Sequence, residues 1–169
     1  SDGTLVVDRE PGGRYLLAGN VGVDVVDVAT GDRRQLVDSV IPAELEADYT
    51  GRDFFWSPSG RTAAARACSI ELCVVDVIDT SDWSVRRLPG TTTLVALNDD
   101  YAVTYPSLSD RRPQILDLRT LDFEPVASQL AGLIGAYPRD DGTFVLYGVT
   151  SWPYVDPVHR PLVLVDPVS

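Results

Sequence analysis

The residues that could carry chemistry in this chain are few and widely spaced. Cys68 and Cys73, the only cysteines, flank Ser69-Ile70-Glu71-Leu72. If that tetrapeptide turns a hairpin, the two face one another as a cross-strand pair with Cα atoms roughly 4.5–5.5 Å apart. That separation suits a disulfide, and a disulfide suits an oxidising compartment: periplasm, cell surface or exterior. Two reduced cysteines buried in a cytosolic fold are the alternative. The spacing is not Cys-x-x-Cys and no cation adjoins either residue, so redox catalysis is not expected. His159 is the sole histidine and lies between Pro157 and Pro161, which reads as a surface loop. There is no Gly-x-Ser-x-Gly segment, and Trp56-Ser57-Pro58-Ser59-Gly60 reads as a hairpin turn, so no serine is placed for activation by that histidine. One histidine and two cysteines are too few for a Cys/His zinc site, and no EF-hand spacing occurs. Asp99-Asp100 and Asp140-Asp141 sit on expected hairpin tips, where carboxylates point into water rather than at one glycosidic bond. The sequence thus predicts no catalytic residue, no metal and no cofactor.

The 169 residues carry a formal charge of −11, and every one of the 14 cations is arginine. So acidic a surface disfavours phosphate backbones and anionic membranes, and no apolar run approaches the length that spans a bilayer. The chain opens Ser1-Asp2-Gly3, which leads us to expect an excerpt, with a signal peptide removed or an upstream domain cut away.

The elements that position these residues follow from a repeat of about forty-five residues. A hairpin turn followed by a short apolar run occurs at Pro11-Gly12-Gly13-Arg14, Pro58-Ser59-Gly60-Arg61, Asn98-Asp99-Asp100 and Asp140-Asp141-Gly142, residue types that tolerate the positive φ of tight hairpins. An apolar run interrupted by Asp follows each time, at Asp27, Asp76, Asp117 and Asp166, spaced 49, 41 and 49 residues. These aspartates are expected to satisfy backbone donors of turns or neighbouring repeats. A polar turn and another strand come next, at 30–36, 81–88 and 120–126. No stretch sustains helical periodicity over three turns, and the best helical candidate, Pro42 to Asp48, lies in a connection. Four short strands in about 40–45 residues match a β-propeller blade. The chain is therefore expected to be all-β: a β-propeller with about four four-stranded blades, at roughly 4–40, 53–88, 93–127 and 133–169, the last incomplete and the whole part of a larger ring. A β-sandwich is the competing architecture. The Arg33-Arg34 and Arg86-Arg87 pairs fall on equivalent outer strands, where basic residues discourage edge-to-edge aggregation.

The segment Phe55-Trp56-Ser57-Pro58-Ser59-Gly60-Arg61-Thr62-Ala63 resembles the WD-like repeat of TolB-type propellers, with Ser59 where that repeat has Asp. Val25-Val26-Asp27-Val28-Ala29-Thr30-Gly31 is similar to the third strand and turn of WD repeats. The resemblance implies a propeller from an exported bacterial protein and implies no activity, since propellers host both binding and catalysis.

Antiparallel order then assigns loops to rims. Connections between blades share one rim with the loops joining second and third strands. The three longest loops, Ile41 to Arg52, Pro106 to Pro113 and Thr150 to Pro161, all belong there. Long loops on rigid scaffolds carry function, and Trp, Tyr and Arg are enriched in binding hot spots. Trp152, Tyr154, His159, Arg160, Arg111, Arg112 and Tyr49 are accordingly the candidate partner-binding residues, with Arg111 and Arg112 facing the acidic 44–48 stretch. Equally, Trp152 and Tyr154 could pack down over a blade edge. The leading expectation is a non-catalytic recognition or sensor scaffold for a protein or peptide partner. The alternative is the substrate-gating propeller of a prolyl-oligopeptidase-like serine hydrolase whose catalytic domain lies elsewhere. A propeller lyase or glycosidase comes third.

Overall fold

Short alternating segments rich in Val, Leu, Tyr and Thr, punctuated by Gly, Pro and Asp, favour strands closed by tight turns. The computed structural model, which describes residues 6–19, 22–38, 51–69, 73–89, 92–107, 109–150 and 161–168, contains fifteen strands and no helix among them. They form four antiparallel meanders. Sheet 1 holds β1 (Val6–Arg9), β2 (Tyr15–Gly19), β3 (Val23–Asp27) and β4 (Arg33–Val37). Sheet 2 holds β5 (Gly51–Trp56), β6 (Thr62–Cys68), β7 (Cys73–Asp79) and β8 (Ser84–Arg87). Sheet 3 holds β9 (Thr93–Leu97), β10 (Tyr101–Tyr105), β11 (Gln114–Asp117) and β12 (Phe123–Pro125). Sheet 4 has three described strands, β13 (Gly132–Pro138), β14 (Phe144–Val149) and β15 (Leu162–Val165).

The cores lie between the sheets. Leu17, Val23 and Val25 of sheet 1 meet Phe54, Ala63, Ala65 and Ile78 of sheet 2. The opposite face of sheet 2, with Ala64, Val75 and Val77, meets Leu94, Leu97, Ala102 and Leu116 of sheet 3. The far face of sheet 3, with Val103, Tyr105 and Ile115, meets Leu133, Phe144 and Leu146 of sheet 4. Because strand side chains alternate between faces, each sheet has an upstream face toward its predecessor and a downstream face toward its successor. This serial face-to-face stacking is a propeller arc, not a two-layered sandwich.

The Ala-rich β6 shows what the stacking demands. Ala63, Ala64, Ala65 and Ala67 are all fully buried, and alanine is a better helix than strand former. Sheet 2 is covered on both sides, and small side chains let its neighbours approach closely.

The turns repeat as well. Asp27 accepts the Ala29 amide at 2.9 Å, Asp117 the Arg119 amide at 2.7 Å and Asp166 the Val168 amide at 3.0 Å. Sheet 2 departs from the sequence expectation. The register pairs Tyr15 with Asp27, Tyr101 with Asp117 and Thr62 with Asp79, so the turn residue there is Asp79, which accepts the Ser81 amide at 2.9 Å. Asp76, expected in that role, is instead buried in mid-strand. Four residues after Asp27, Asp79 and Asp117 the chain takes positive φ, at Gly31 (77°), Trp83 (62°) and Leu121 (67°). A non-glycine residue there is strained, and burial offsets the strain: Trp83 stands edge-on to Tyr15 of sheet 1 at 4.8 Å, and Leu121 packs into the core between sheets 2 and 3.

Candidate functional site

Strand direction sorts the loops onto two rims. One rim gathers the hairpins joining first and second strands with the turns joining third and fourth. The other gathers the second-to-third loops with the connections between sheets.

The hairpin rim is stitched from sheet to sheet. Ser59 donates to Asp99 at 2.6 Å, and Arg61 holds the same carboxylate at 2.9 and 2.5 Å. The next hairpin continues the pattern, with Asn98 Nδ2 donating to the Gly142 carbonyl at 2.8 Å. Gly60 has φ of 76°, and a Cβ there would lie 2.9 Å from Glu10 Oε1 of the preceding hairpin, so this position requires glycine. Arg34 and Arg86 hold equivalent places on the outer strands and donate to the next sheet's turn, at the Asp82 carbonyl (3.3 Å) and the Leu118 carbonyl. These arginines therefore act as sheet-to-sheet ties besides making the edges basic. A cavity of about 220 Å³ on this rim is lined by Asp99, Asp100, Asp140, Asp141 and Asp166. Burial pushes the Asp99 carboxyl up, but the Ser59 and Ser57 hydroxyls and Arg61 outweigh it and hold it below the usual range. Asp141 is held down first by the Thr143 hydroxyl and then by the Thr143 amide. Asp99 and Asp141 are thereby held in the charged form. Among the described residues no group of three or more potential ligands is arranged to hold a metal ion.

The loop rim carries the sequence-predicted residues. Cys68 and Cys73 are the last register pair of the β6–β7 hairpin and form a disulfide, with Cα atoms 4.0 Å apart. The loop after β10 is shaped by its own side chains: Ser107 Oγ accepts the Asp110 amide at 3.1 Å, and Arg112 holds Asp110 through bonds of 2.9 and 2.7 Å. That arginine, ahead of any other influence, holds the Asp110 carboxyl below the ordinary range. Arg111 lies over the Tyr105 ring at 5.7 Å, and its carbonyl accepts the Leu133 amide at 2.7 Å, tying the loop to sheet 4. Arg112 lines a cavity of about 230 Å³ with Pro106, Pro113, Gln114, Pro125, Val126, Ser128 and Leu130. The structure thus brings Arg112 to a concave, proline-walled site and turns Arg111 onto an aromatic ring. Tyr49, Trp152, Tyr154, His159 and Arg160, with the 44–48 stretch expected opposite the arginines, lie outside the described residues.

Sequence reasoning missed a buried ion cluster. Asp76, its side chain 3% exposed, accepts from Arg87 at 2.8 and 3.1 Å and lies 3.6 Å from Arg52, whose side chain is 1% exposed. The available signal was Asp76 and Arg87 at matching positions on successive strands, with Asp76 flanked by Val75 and Val77. The cluster lies on the upstream face of sheet 2, under sheet 1, so it organises the fold rather than meeting a ligand.

No family model matches the chain, and no curated protein matches it by sequence. Solved structures do. TolB from Acinetobacter baumannii superposes with a TM-score of 0.59 at 11% identity, over 98% of this chain and 42% of that one. An acylaminoacyl peptidase from Pyrococcus horikoshii gives 0.62 at 14%, over 98% and 31%. The Dos1 propeller gives 0.50 at 13%, over 86% and 41%. The chain spans less than half the length of each of these three. With four sheets stacked in series and propellers among the structures it matches, the chain has the fold of a β-propeller arc, similar to that of TolB.

Proposed function

We propose that this arc is the recognition scaffold of an exported protein and binds a protein or peptide partner on its loop rim. The observation that carries the reading is the proline-walled cavity beside Arg112, seated where the 106–113 loop meets the connection between sheets 3 and 4. Val149 and Leu162 end strands on the same rim, and the sequence between them holds Trp152, Tyr154, His159 and Arg160; Tyr49 belongs to the connection that enters sheet 2 there. An arginine beside a concave apolar site is what peptide recognition uses. The disulfide on this rim supports an oxidising location, and a TolB structure among the matches agrees with a bacterial exported protein.

The test is selection of peptides on the immobilised chain, followed by titration of the selected peptide against the triple variant Arg112→Ala, Trp152→Ala, Tyr154→Ala. A loss of about tenfold or more in affinity is expected; equal affinity would move the site off this rim. Thiol titration of freshly isolated, unreduced, denatured protein checks the location: no free thiol is expected, and two free thiols would remove the argument for export.

The peptidase match supports a second reading, the substrate-gating propeller of a serine hydrolase. A Gly-x-Ser-x-Gly segment elsewhere in the same gene would favour it decisively.

A further inference from the structure

The turn aspartates Asp27, Asp79 and Asp117 put the first three sheets in one register, and the position three residues before them holds Asp24, Asp76 and Gln114. In sheets 1 and 2 the carboxylate meets an outer-strand arginine: Arg33 lies 2.5 Å from Asp24, and Arg87 lies 2.8 Å from Asp76. Sheet 3 has no such pair. An amide replaces the carboxylate, and the residue facing Gln114 across the sheet is Pro125, where Arg87 faces Asp76 in sheet 2. Gln114 and Pro125 line the cavity of about 230 Å³ beside Arg112. The cavity thus lies where the other two sheets place an ion pair.

Its chemistry is the reverse of that on the hairpin rim. Five aspartates line the cavity there, whereas among the described residues no carboxylate lines this one. Three of its side chains can donate hydrogen bonds. Ser128 Oγ accepts the Leu130 amide at 3.2 Å, which leaves its O–H to donate. Gln114 carries two amide N–H donors. Arg112 presents Nε and Nη2 to the two oxygens of Asp110, at 2.9 and 2.7 Å. A guanidinium has five N–H donors in a planar fork, so Asp110 occupies one edge and the other, formed by Nη1 and the second Nη2 hydrogen, belongs to a side chain that is 75% exposed. Residues 106–113 hold Arg111 and Arg112 against Asp110 alone, one net positive charge in a chain of −11.

We propose, building on the peptide-binding reading above, that this cavity takes the C-terminus of a partner polypeptide, with an apolar last side chain between the prolines and the terminal carboxylate on Arg112, Gln114 and Ser128. Donors beside apolar walls call for a carboxylate and an apolar group held close together. A C-terminal residue carries both on one Cα. An internal acidic residue does not: its neighbours in an extended peptide point to the opposite side, and the next side chain on its own side lies about 6.6 Å away. Pro106, Pro113 and Pro125 make rigid walls, so little of the site has to be ordered on binding.

Hexapeptides tethered through their N-termini and ending in Leu, with the other positions randomised, test this when each is made both with a free C-terminal carboxylate and as the C-terminal amide. Peptides retained by the chain are expected to bind as carboxylates and to lose about tenfold or more in affinity as amides. Arg112→Gln, at an exposed side chain, and Gln114→Glu, which restores an acid at the position of Asp76, should each cost the carboxylate form about tenfold or more while circular dichroism shows the chain folded. Equal binding of the amides would overturn the proposal; if Trp152→Ala with Tyr154→Ala then abolishes that binding, the rim is a peptide site that does not read the carboxylate. Binding that follows an internal Asp or Glu in the amidated set would put the carboxylate on a side chain and overturn it as well. Retention of neither set would do the same, and the broader peptide-binding reading is then decided separately by the peptide selection described above.

Discussion

Asp24 and Asp76 occupy the same register position in neighbouring sheets, and each meets an arginine from the outer strand. Their surroundings differ. Asp76 lies beneath sheet 1 with the guanidinium of Arg52 enclosed beside it, while the Arg87 side chain that also reaches it stays 49% exposed. The Asp24–Arg33 pair lies on a face that no described part of the chain covers, and the Arg33 side chain is 69% exposed. The covalent chemistry is shared, and the dielectric is not. Charges facing water gain little from pairing, whereas removing one member of a buried pair strands the other in a medium that cannot solvate it. What is stacked above an ion pair, more than its geometry, decides its value.

That contrast orders the expected effects. Asp76→Ala should be the most damaging, destabilising by about 3–5 kcal/mol in denaturant unfolding, because Arg52 loses its enclosed partner; a loss under about 1 kcal/mol would show that water reaches the cluster. Leu17→Ala, on the covered face of sheet 1, should cost about 3 kcal/mol through the cavity it leaves, separating the value of that seam from the value of its charges. Replacing both Cys68 and Cys73 by Ser should cost about 2 kcal/mol, since the closed loop is short, with the midpoint of the oxidised protein measured against that of the variant. Asp24→Ala should have the smallest effect, under about 1 kcal/mol in the same unfolding measurement, because its partner Arg33 faces water.

Acid provides a further comparison. The Ala29 amide first, then Arg14 and the Thr30 amide, hold Asp27 below its ordinary value, and the Thr120 and Arg119 amides do the same for Asp117. A depressed folded-state pKa stabilises the protein above the unfolded value of about 3.9 and loses that contribution as pH falls through the folded one. Denaturant midpoints at pH 7, 4 and 3 should therefore hold steady to about pH 4 and then drop. A flat profile would show that these turns gain nothing from their charge.

The turns explain how much of the architecture was legible in the sequence. Gly, Asn and Asp at hairpin tips and Asp at strand ends state local backbone requirements, so the repeat, the loop rims and the facing of Cys68 and Cys73 could be read directly. Asp76 was misassigned for an equally local reason. β7 is seven residues long and buried on six of them, so Val-Val-Asp-Val-Ile-Asp offers two aspartates three residues apart, and a strand covered on both faces gives no alternation to choose between them. The alanines of β6 and the partnership of Asp76 with Arg52 record distances between sheets, which are set by residues far apart in the chain. Arg112 was legible as a loop cation; the cavity beside it arises only where two connections meet.

The edge-on contact between Trp83 and Tyr15 has a spectroscopic consequence. Trp56 packs into the same core between sheets 1 and 2, so both indoles among the described residues report from a single seam. With Trp152 replaced by Phe, their fluorescence will follow the parting of the first two sheets rather than fraying further along the arc, where Tyr101, Tyr105, Tyr137 and Tyr147 lie. A melt recorded by indole emission and one recorded by circular dichroism will therefore coincide only if the whole arc gives way at once.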